Sequence, residues 1–444
     1  AQKRLKSLIC FVYLHFVCTI MTGISVKISI VSGEIDAQPG ENERKPSIGT
    51  QSVQQGFDLM QHIPPLWLDP ETHLARRQPD HPILYFSPRV LHEVADRYLT
   101  GIPGLVTYAV KANPHPAVLS NLVAAGVSAF DVASPAEMEA VRAASADAVM
   151  HYNNPVRSDV EIAACISHGV ASWSVDEASE LDKLADVPRD CEIAVRFALP
   201  VQGAAYDFGS KFGAAPEEAI ALLQRVAAEG WTPALCFHPG TQCEDASAWV
   251  EYIHAARRIV DAAGVKVARL NVGGGFAANR DGVAPDLETV FSAIGTAVCD
   301  AFGDAAPELI CEPGRAMVSE AFTLAARIKG LRQGGGVVYL NDGIYGGLVD
   351  IRDMGLPGRV TVVSAEGQHR SAPRKPRIVF GPTCDSLDRL PDGLPLPEDS
   401  VTGDYVLFPG LGAYSSAMST QFNGYGLSDV ATVIELSGQA GTRG

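Results

Sequence analysis

From about Pro82 to Arg315 the chain alternates short apolar runs with Ala- and Leu-rich stretches, and this alternation constrains the fold more than any other feature. ILYFS, LVTYAV, AFDVAS, AVMHYN, ASWSV, EIAVRF, ALCFHP, ARLNVGGG and LICEPG each have the length and side-chain content of a strand. Between them, segments such as Pro116 to Ala125, Pro135 to Ala144 and Ala215 to Gly230 carry helix formers with apolar residues at helical spacing. Strand then helix, repeated about eight times, makes the strands parallel, and eight such units close into a barrel. After about Ala316 the texture changes. GGGVVYLND, GRVTVVS, RKPRIVFGP and DYVLFPG are β-rich and separated by Pro/Gly turns, with no long helix between them. The expected fold class is therefore α/β plus β. A TIM-like (β/α)8 barrel spans residues 82–316 and a mostly antiparallel β domain spans 317–444, with residues 55–81 joining the β domain as an N-terminal strand.

The first 54 residues stand apart. Lys3, Arg4 and Lys6 precede an apolar run from Leu8 to about Val26, like the charged start and apolar middle of a signal peptide. Residues from Ser32 to Gln54 are polar and read as a flexible linker. The segment is expected to be a leader or disordered extension. The remainder reads as cytosolic metabolism, so the expected location is cytoplasmic, with export or anchoring through residues 8–26 as the alternative.

Composition narrows the function classes. A length of 444 residues with 47% hydrophobic content supports a large core. A formal net charge of −16 argues against nucleic-acid binding, because phosphates would meet no neutralising surface. The nine cysteines show no CxxC or Cys/His ligand spacing, which argues against a disulfide framework and against a metal site.

Several strand ends carry chemistry. LVTYAV ends in Lys111, at the mouth where barrel enzymes react, and a partly desolvated lysine there is a good Schiff-base former. Gly273, Gly274 and Gly275 follow another strand and would let backbone N–H groups close on a phosphate. Glu312 and Arg315 lie within four residues at a third strand end, a carboxylate to hold a pyridine nitrogen protonated and a guanidinium to grip a phosphate. His238 and Thr241 stand at a fourth. Each feature has an ordinary account as turn chemistry; together they supply the contacts of pyridoxal phosphate (PLP).

YAVKAN, FHPGTQ, NVGGGF, CEPGRA, GPTCDSLD and AYSSAMSTQFNG, in this order, resemble the fold-type III PLP decarboxylases, the family of ornithine, lysine, arginine and diaminopimelate decarboxylases. The resemblance covers about residues 80 to 428 and is nearest to ornithine decarboxylase. It implies that Lys111 carries the cofactor, that His238 stacks on the pyridine ring and that Glu312 pairs with the ring nitrogen. It also implies that Gly273, Gly274, Gly275, Arg315, Thr241 and Tyr414 surround the phosphate. Asp131 and Arg196 match an aspartate near the lysine and an arginine near the phenolic oxygen. Pro239 and Thr241 depart from the usual β-branched residue and serine, which touches geometry and not chemistry.

By the same resemblance Cys384 donates a proton to Cα and Asp385 binds the distal ammonium of an ornithine- or lysine-like amino acid. Asp350 or Asp353 is the candidate second acid, and Phe422 joins the substrate-binding set. The family arrangement is a homodimer with shared active sites. Diaminopimelate decarboxylase is the enzymatic alternative, and a non-catalytic regulatory paralogue the alternative of another class.

Overall fold

The computed structural model describes residues 65–199, 211–280 and 282–436, together with two strands at 26–31 and 34–39. Eight parallel strands close into a barrel: Gly104–Ala109, Ala129–Asp131, Val149–Tyr152, Ser172–Val175, Glu192–Arg196, Thr232–Cys236, Arg269–Asn271 and Glu308–Cys311. The last pairs back onto the first, with Cys311 opposite Val106. Parallel neighbours require crossovers, and helices supply them. Their starts are legible. Ser134 and Ser158 cap Pro135–Ala144 and Asp159–His168 by accepting from the backbone N–H of Glu137 and Glu161.

One apolar run belongs elsewhere. Ile83–Phe86, expected in the barrel, pairs antiparallel with Phe322–Arg332 and parallel with Asp429–Val433. All four of its residues are buried, and a short continuous apolar run reads alike in a barrel strand and in a two-faced central strand. The helix that follows it, Pro88–Gly101, packs against Pro116–Ala124 and Leu287–Phe302. It fills the eighth outer position, because the last barrel strand leads only into the single turn Arg315–Val318.

The second sheet is organised on Phe322–Arg332, whose eleven residues pair with Ile83–Phe86, Val337–Leu340 and Tyr405–Pro409. Leu66–Trp67 adds to it beside Asp429–Val433. Part of the segment read as a leader or disordered extension is also β structure: Val26–Val31 and Glu34–Pro39, the latter within the expected linker, form an antiparallel hairpin, and Glu34 bridges to Trp67. The reason is local. VKISIV alternates Val26, Ile28 and Ile30 with Lys27 and Ser29, a period of two that favours a strand. The rest of the leader expectation, including most of the apolar run Leu8–Val26, lies outside the described residues. Among the described residues no helix is long and apolar enough to cross a membrane.

Beneath the barrel mouth lies an aromatic layer. Trp249 stacks on Phe276 at 5.1 Å, Phe276 meets Tyr98 and Phe291 edge-on, and Phe237 stacks on Tyr252 at 4.6 Å. Phe237 and Phe276 flank His238 and the glycine run, so the loops carrying those residues rest on close-packed rings.

Candidate active site

Lys111 follows the first barrel strand in a 3-10 turn, Val110–Ala112, pinned from several sides. Ala109 N–H donates to Pro313 O (3.3 Å) and Tyr414 N–H to Ala112 O (2.8 Å). Asn113 Nδ2 donates to Gly412 O (2.8 Å), and the Tyr108 hydroxyl to Asn113 O (3.0 Å). Protein surrounds the lysine while its surface stays open to solvent, so it stands in a recess. Burial opposes its charge, but Tyr414, Asp131 and Glu312 outweigh burial and the opposing Arg196, leaving the amine above its ordinary pKa.

The register levels the strand ends. Ala109 lies opposite Asp131, Asp131 opposite His151, and Cys236 opposite both Arg196 and Asn271. Asp131, Arg196, His238, Gly273 and Glu312 thus come from five strand ends to one rim. Asn153 Nδ2 and Asn271 Nδ2 both donate to the same oxygen of Glu312, Oε1. Burial holds the Glu312 carboxyl above its usual range, against the pull of Asn271, Lys111, Arg196 and Asn153. Asp131 is raised much further, by burial and then by Glu312. Among the described residues it accepts one hydrogen bond, from Asn153 N–H at 3.3 Å.

The glycine run is shaped by close approach. Gly273 and Gly275 have φ of 70° and 89°, and a Cβ at Gly273, Gly274 or Gly275 would strike Phe237 O, Glu312 O or Gly240 O at 2.3, 2.7 and 2.5 Å. Gly273 N–H donates to Asn271 Oδ1 (2.9 Å), so that donor closes the loop rather than facing a ligand. The loop after His238 is zipped onto the same run: Cys243 N–H donates to Gly275 O (2.8 Å), and Gln242 makes two hydrogen bonds with Ala278. Thr241 sits half-buried in that loop. Gly240 N–H donates to His238 Nδ1 (3.1 Å), which therefore accepts. Burial, Arg196 and Lys111 hold this imidazole neutral, well below its ordinary pKa.

Arg315 places its guanidinium 4.9 Å from the Tyr414 ring centroid, with Tyr414 in a left-handed backbone conformation (φ 62°). The candidate second acids are corrected here. Asp350 is buried and held by three donors, Arg315 Nη1 (2.6 Å), Arg315 Nη2 (2.8 Å) and Arg280 Nη1 (3.1 Å). A carboxylate so occupied has no oxygen to offer a substrate ammonium. Asp353 lies on the surface, paired with the adjacent Arg352 at 2.9 Å.

Cys384, Asp385 and Phe422 belong to a second cluster on the β domain. Asp385 Oδ2 accepts from the Tyr345 hydroxyl (2.6 Å), Cys384 N–H donates to Asn423 Oδ1 (3.0 Å), and Phe422 meets the Tyr345 ring at 5.3 Å. Beside them is a carboxylate missed in the sequence. Asp342 is 1% exposed, its Oδ1 accepts from Gly347 N–H (3.1 Å), and its Oδ2 is buried without a partner. Burial pushes its pKa to about 7. Its neighbourhood NDG reads as a turn, and only the glycine-rich wrap GGL that follows hints at a shielded side chain. Asn153 and Asn271 were missed too, since each lies inside a run that reads as a strand and nothing local points to Glu312.

The family model for the pyridoxal-dependent decarboxylase, pyridoxal binding domain, matches residues 90–319. The chain belongs to the pyridoxal-dependent decarboxylases. The lysine/ornithine decarboxylase of Selenomonas ruminantium is 34% identical over 331 residues, 73% of this chain and 82% of that protein. The crystal structure of lysine/ornithine decarboxylase from Vibrio vulnificus, complexed with putrescine, has a TM-score of 0.69 at 28% identity, covering 79% of this chain and 94% of that one. The arginine decarboxylase of Paramecium bursaria Chlorella virus has a TM-score of 0.73 at 25% identity, covering 81% and 98%. This decarboxylase therefore uses PLP and acts on a basic amino acid. Its own residues fit the cofactor: a recessed lysine, glycines whose backbone leaves no room for side chains, and a carboxylate anchored at one oxygen with the other left over.

Proposed function

We propose that the decarboxylase takes a diamino acid of ornithine or lysine length and releases the corresponding diamine and CO₂. The observation carrying this reading is the pair of acids by Tyr345: Asp385, held by the phenol, and buried Asp342 with its unpartnered oxygen. A distal ammonium supplies the donor that Asp342 Oδ2 lacks, while Asp385, held by the Tyr345 hydroxyl and Leu387 N–H, adds negative charge beside it.

The roles follow from position. Bound PLP supplies the electron sink that accepts the pair left when CO₂ departs. Lys111 Nζ would hold the cofactor covalently, and its recess leaves the amine within reach of an incoming substrate. Glu312 would hold the ring nitrogen protonated through the oxygen that the asparagines leave, and neutral His238 would pack against the ring. Gly274, Gly275, Thr241, Tyr414 and Arg315 would hold the phosphate, while Asp131 and Arg196 set the field around Lys111. Cys384 Sγ returns a proton to Cα.

A second copy of the chain completes the site in this reading. Leu387 (70% exposed), Phe422 (44%) and Tyr425 (37%) surround the Cys384 segment. Apolar side chains this open beside a functional thiol support burial against a partner.

The test is CO₂ release by PLP-loaded protein from L- and D-ornithine, lysine, arginine and meso-diaminopimelate. Preference for ornithine or lysine supports the reading, and D385A then loses that preference. Preference for diaminopimelate or arginine overturns it.

A further inference from the structure

Two buried carboxylates share the pocket, and one asparagine touches both. Asp131 and Glu312 lie close enough that each raises the cost of charging the other. Asn153, just past the third barrel strand, gives Glu312 its side-chain amide and Asp131 its backbone N–H (3.3 Å). Asn271, just at the end of the seventh, adds a second amide to the same Glu312 oxygen. The Asn271 amide cannot turn away, because its Oδ1 accepts from Gly273 N–H. Asn153 is nine-tenths buried, held through its carbonyl by Ser174 Oγ (3.0 Å), and its own Oδ1 has no partner. Its placement therefore costs a buried unsatisfied acceptor, which packing alone does not account for.

We propose that Asn153, with Asn271, is a positioning residue that assigns the negative charge to Glu312 rather than to Asp131, and so fixes which carboxylate holds the pyridine N–H. Donors favour the ionised form of the acid they reach. Glu312 receives two primary-amide donors, whereas Asp131 receives one long backbone bond. The other charged or titratable groups facing the pair are Lys111, Arg196, His238, Glu137 and the buried thiols of Cys236 and Cys311, which burial together with Glu312 keeps protonated. Lys111 counts in favour of either charge, and Arg196 acts on Glu312. Arg196 and Glu137 bias the pair in the same direction, and the two asparagine amides add to that bias through direct hydrogen bonds to Glu312. With both amides on Oε1, the second Glu312 oxygen is the one directed to the ligand, so the clamp sets direction as well as charge.

The inference rests on the assignment of Glu312 to the ring nitrogen, and the experiment separates the two. Dissociation constants are measured for PLP and for 1-deazapyridoxal phosphate, which has carbon in place of the ring nitrogen, on wild type, Glu312→Gln, Asn153→Ala and Asn153→Ser. Visible absorbance of each PLP complex is followed against pH. The wild type is expected to prefer PLP, and Asn153→Ala to lose about tenfold of that preference and move the absorbance titration by about one unit, a tenfold effect corresponding to about 1.4 kcal/mol. Asn153→Ser, which keeps a donor, restores part of both. If Glu312→Gln abolishes the preference while folded Asn153→Ala leaves preference and titration unchanged, the inference is overturned and the role of Glu312 stands. If Glu312→Gln leaves the preference intact, both fall. Should Asn153→Ala not fold, Asn153→Ser decides: an unchanged preference and pH midpoint overturn the proposal.

Discussion

Arg315 and Asp350 face each other through two hydrogen bonds of 2.6 and 2.8 Å, with side chains only 9% and 5% exposed. Arg280 joins the same carboxylate, so the three carry one net positive charge at the barrel mouth. Removing the acid leaves two guanidiniums close together in a poorly solvated place. D350A is therefore expected to lose about 3–5 kcal/mol of folding stability. Urea denaturation checks this, and a loss below about 1 kcal/mol would show that water reaches the arginines freely.

Gly274 tests the cradle directly. A Cβ there would sit 2.7 Å from Glu312 O and 3.2 Å from His238 Nε2, and the backbone carbonyl has nowhere to retreat. G274A is expected to cost about 1–3 kcal/mol, expressed as a roughly ten- to hundredfold weaker PLP dissociation constant. Fluorescence titration of the apoprotein measures it; unchanged affinity would mean the loop shifts without consequence.

The pKa of Asp342 near 7 has a signed consequence. In the unfolded chain this carboxyl titrates near the ordinary 3.8, so between about pH 4 and 7 the folded protein holds the extra proton. The stability this proton confers is present below pH 4 and is lost as pH rises through 7. D342N removes the ionisation and is expected to gain stability relative to wild type at pH 8 but not at pH 5. Melting temperatures at the two pH values compare them; an equal shift at both would argue against a buried, protonated acid.

His151 titrates in the opposite sense. Both ring nitrogens are buried without partners, and burial followed by Arg269 lowers its pKa to about 4. The unfolded chain binds the extra proton between about pH 4 and 6.5, so stability is full above 6.5 and falls as pH drops towards 4. His151→Leu is expected to lessen that acid sensitivity. A wild-type and variant pair with parallel stability curves from pH 7 to 4.5 would contradict it.

The proposed sharing of sites between two copies predicts complementation. K111A and C384A are each expected to be inactive, and an equimolar mixture that exchanges subunits should recover about a quarter of wild-type sites by random pairing. Recovery measured as CO₂ release would place Lys111 and Cys384 in one site from different chains. Lack of recovery with confirmed exchange would place them in the same chain.

Periodicity carried most of the architecture, because a strand or helix is decided by neighbours within a few residues. Seven of the apolar runs after ILYFS, and LICEPG at the end, became barrel strands at their expected places, while Ile83–Phe86 went to the other sheet. Nothing in four buried apolar residues tells one sheet from another. The motifs likewise placed Lys111, His238, Glu312 and the glycines at strand ends, because each needs a particular residue type there. What the chain order could not determine was which polar groups spend their hydrogen bonds on each other. Asp350 read as a free acid until Arg280 and Arg315, 70 and 35 residues away, were seen to occupy it. Asn153 and Asn271 carried no role within the strand-like runs AVMHYN and ARLNVGGG, because their partner Glu312 lies 159 and 41 residues away. Pattern is local, whereas charge and hydrogen-bond partnership depend on which distant side chains the closed barrel brings within about 3 Å.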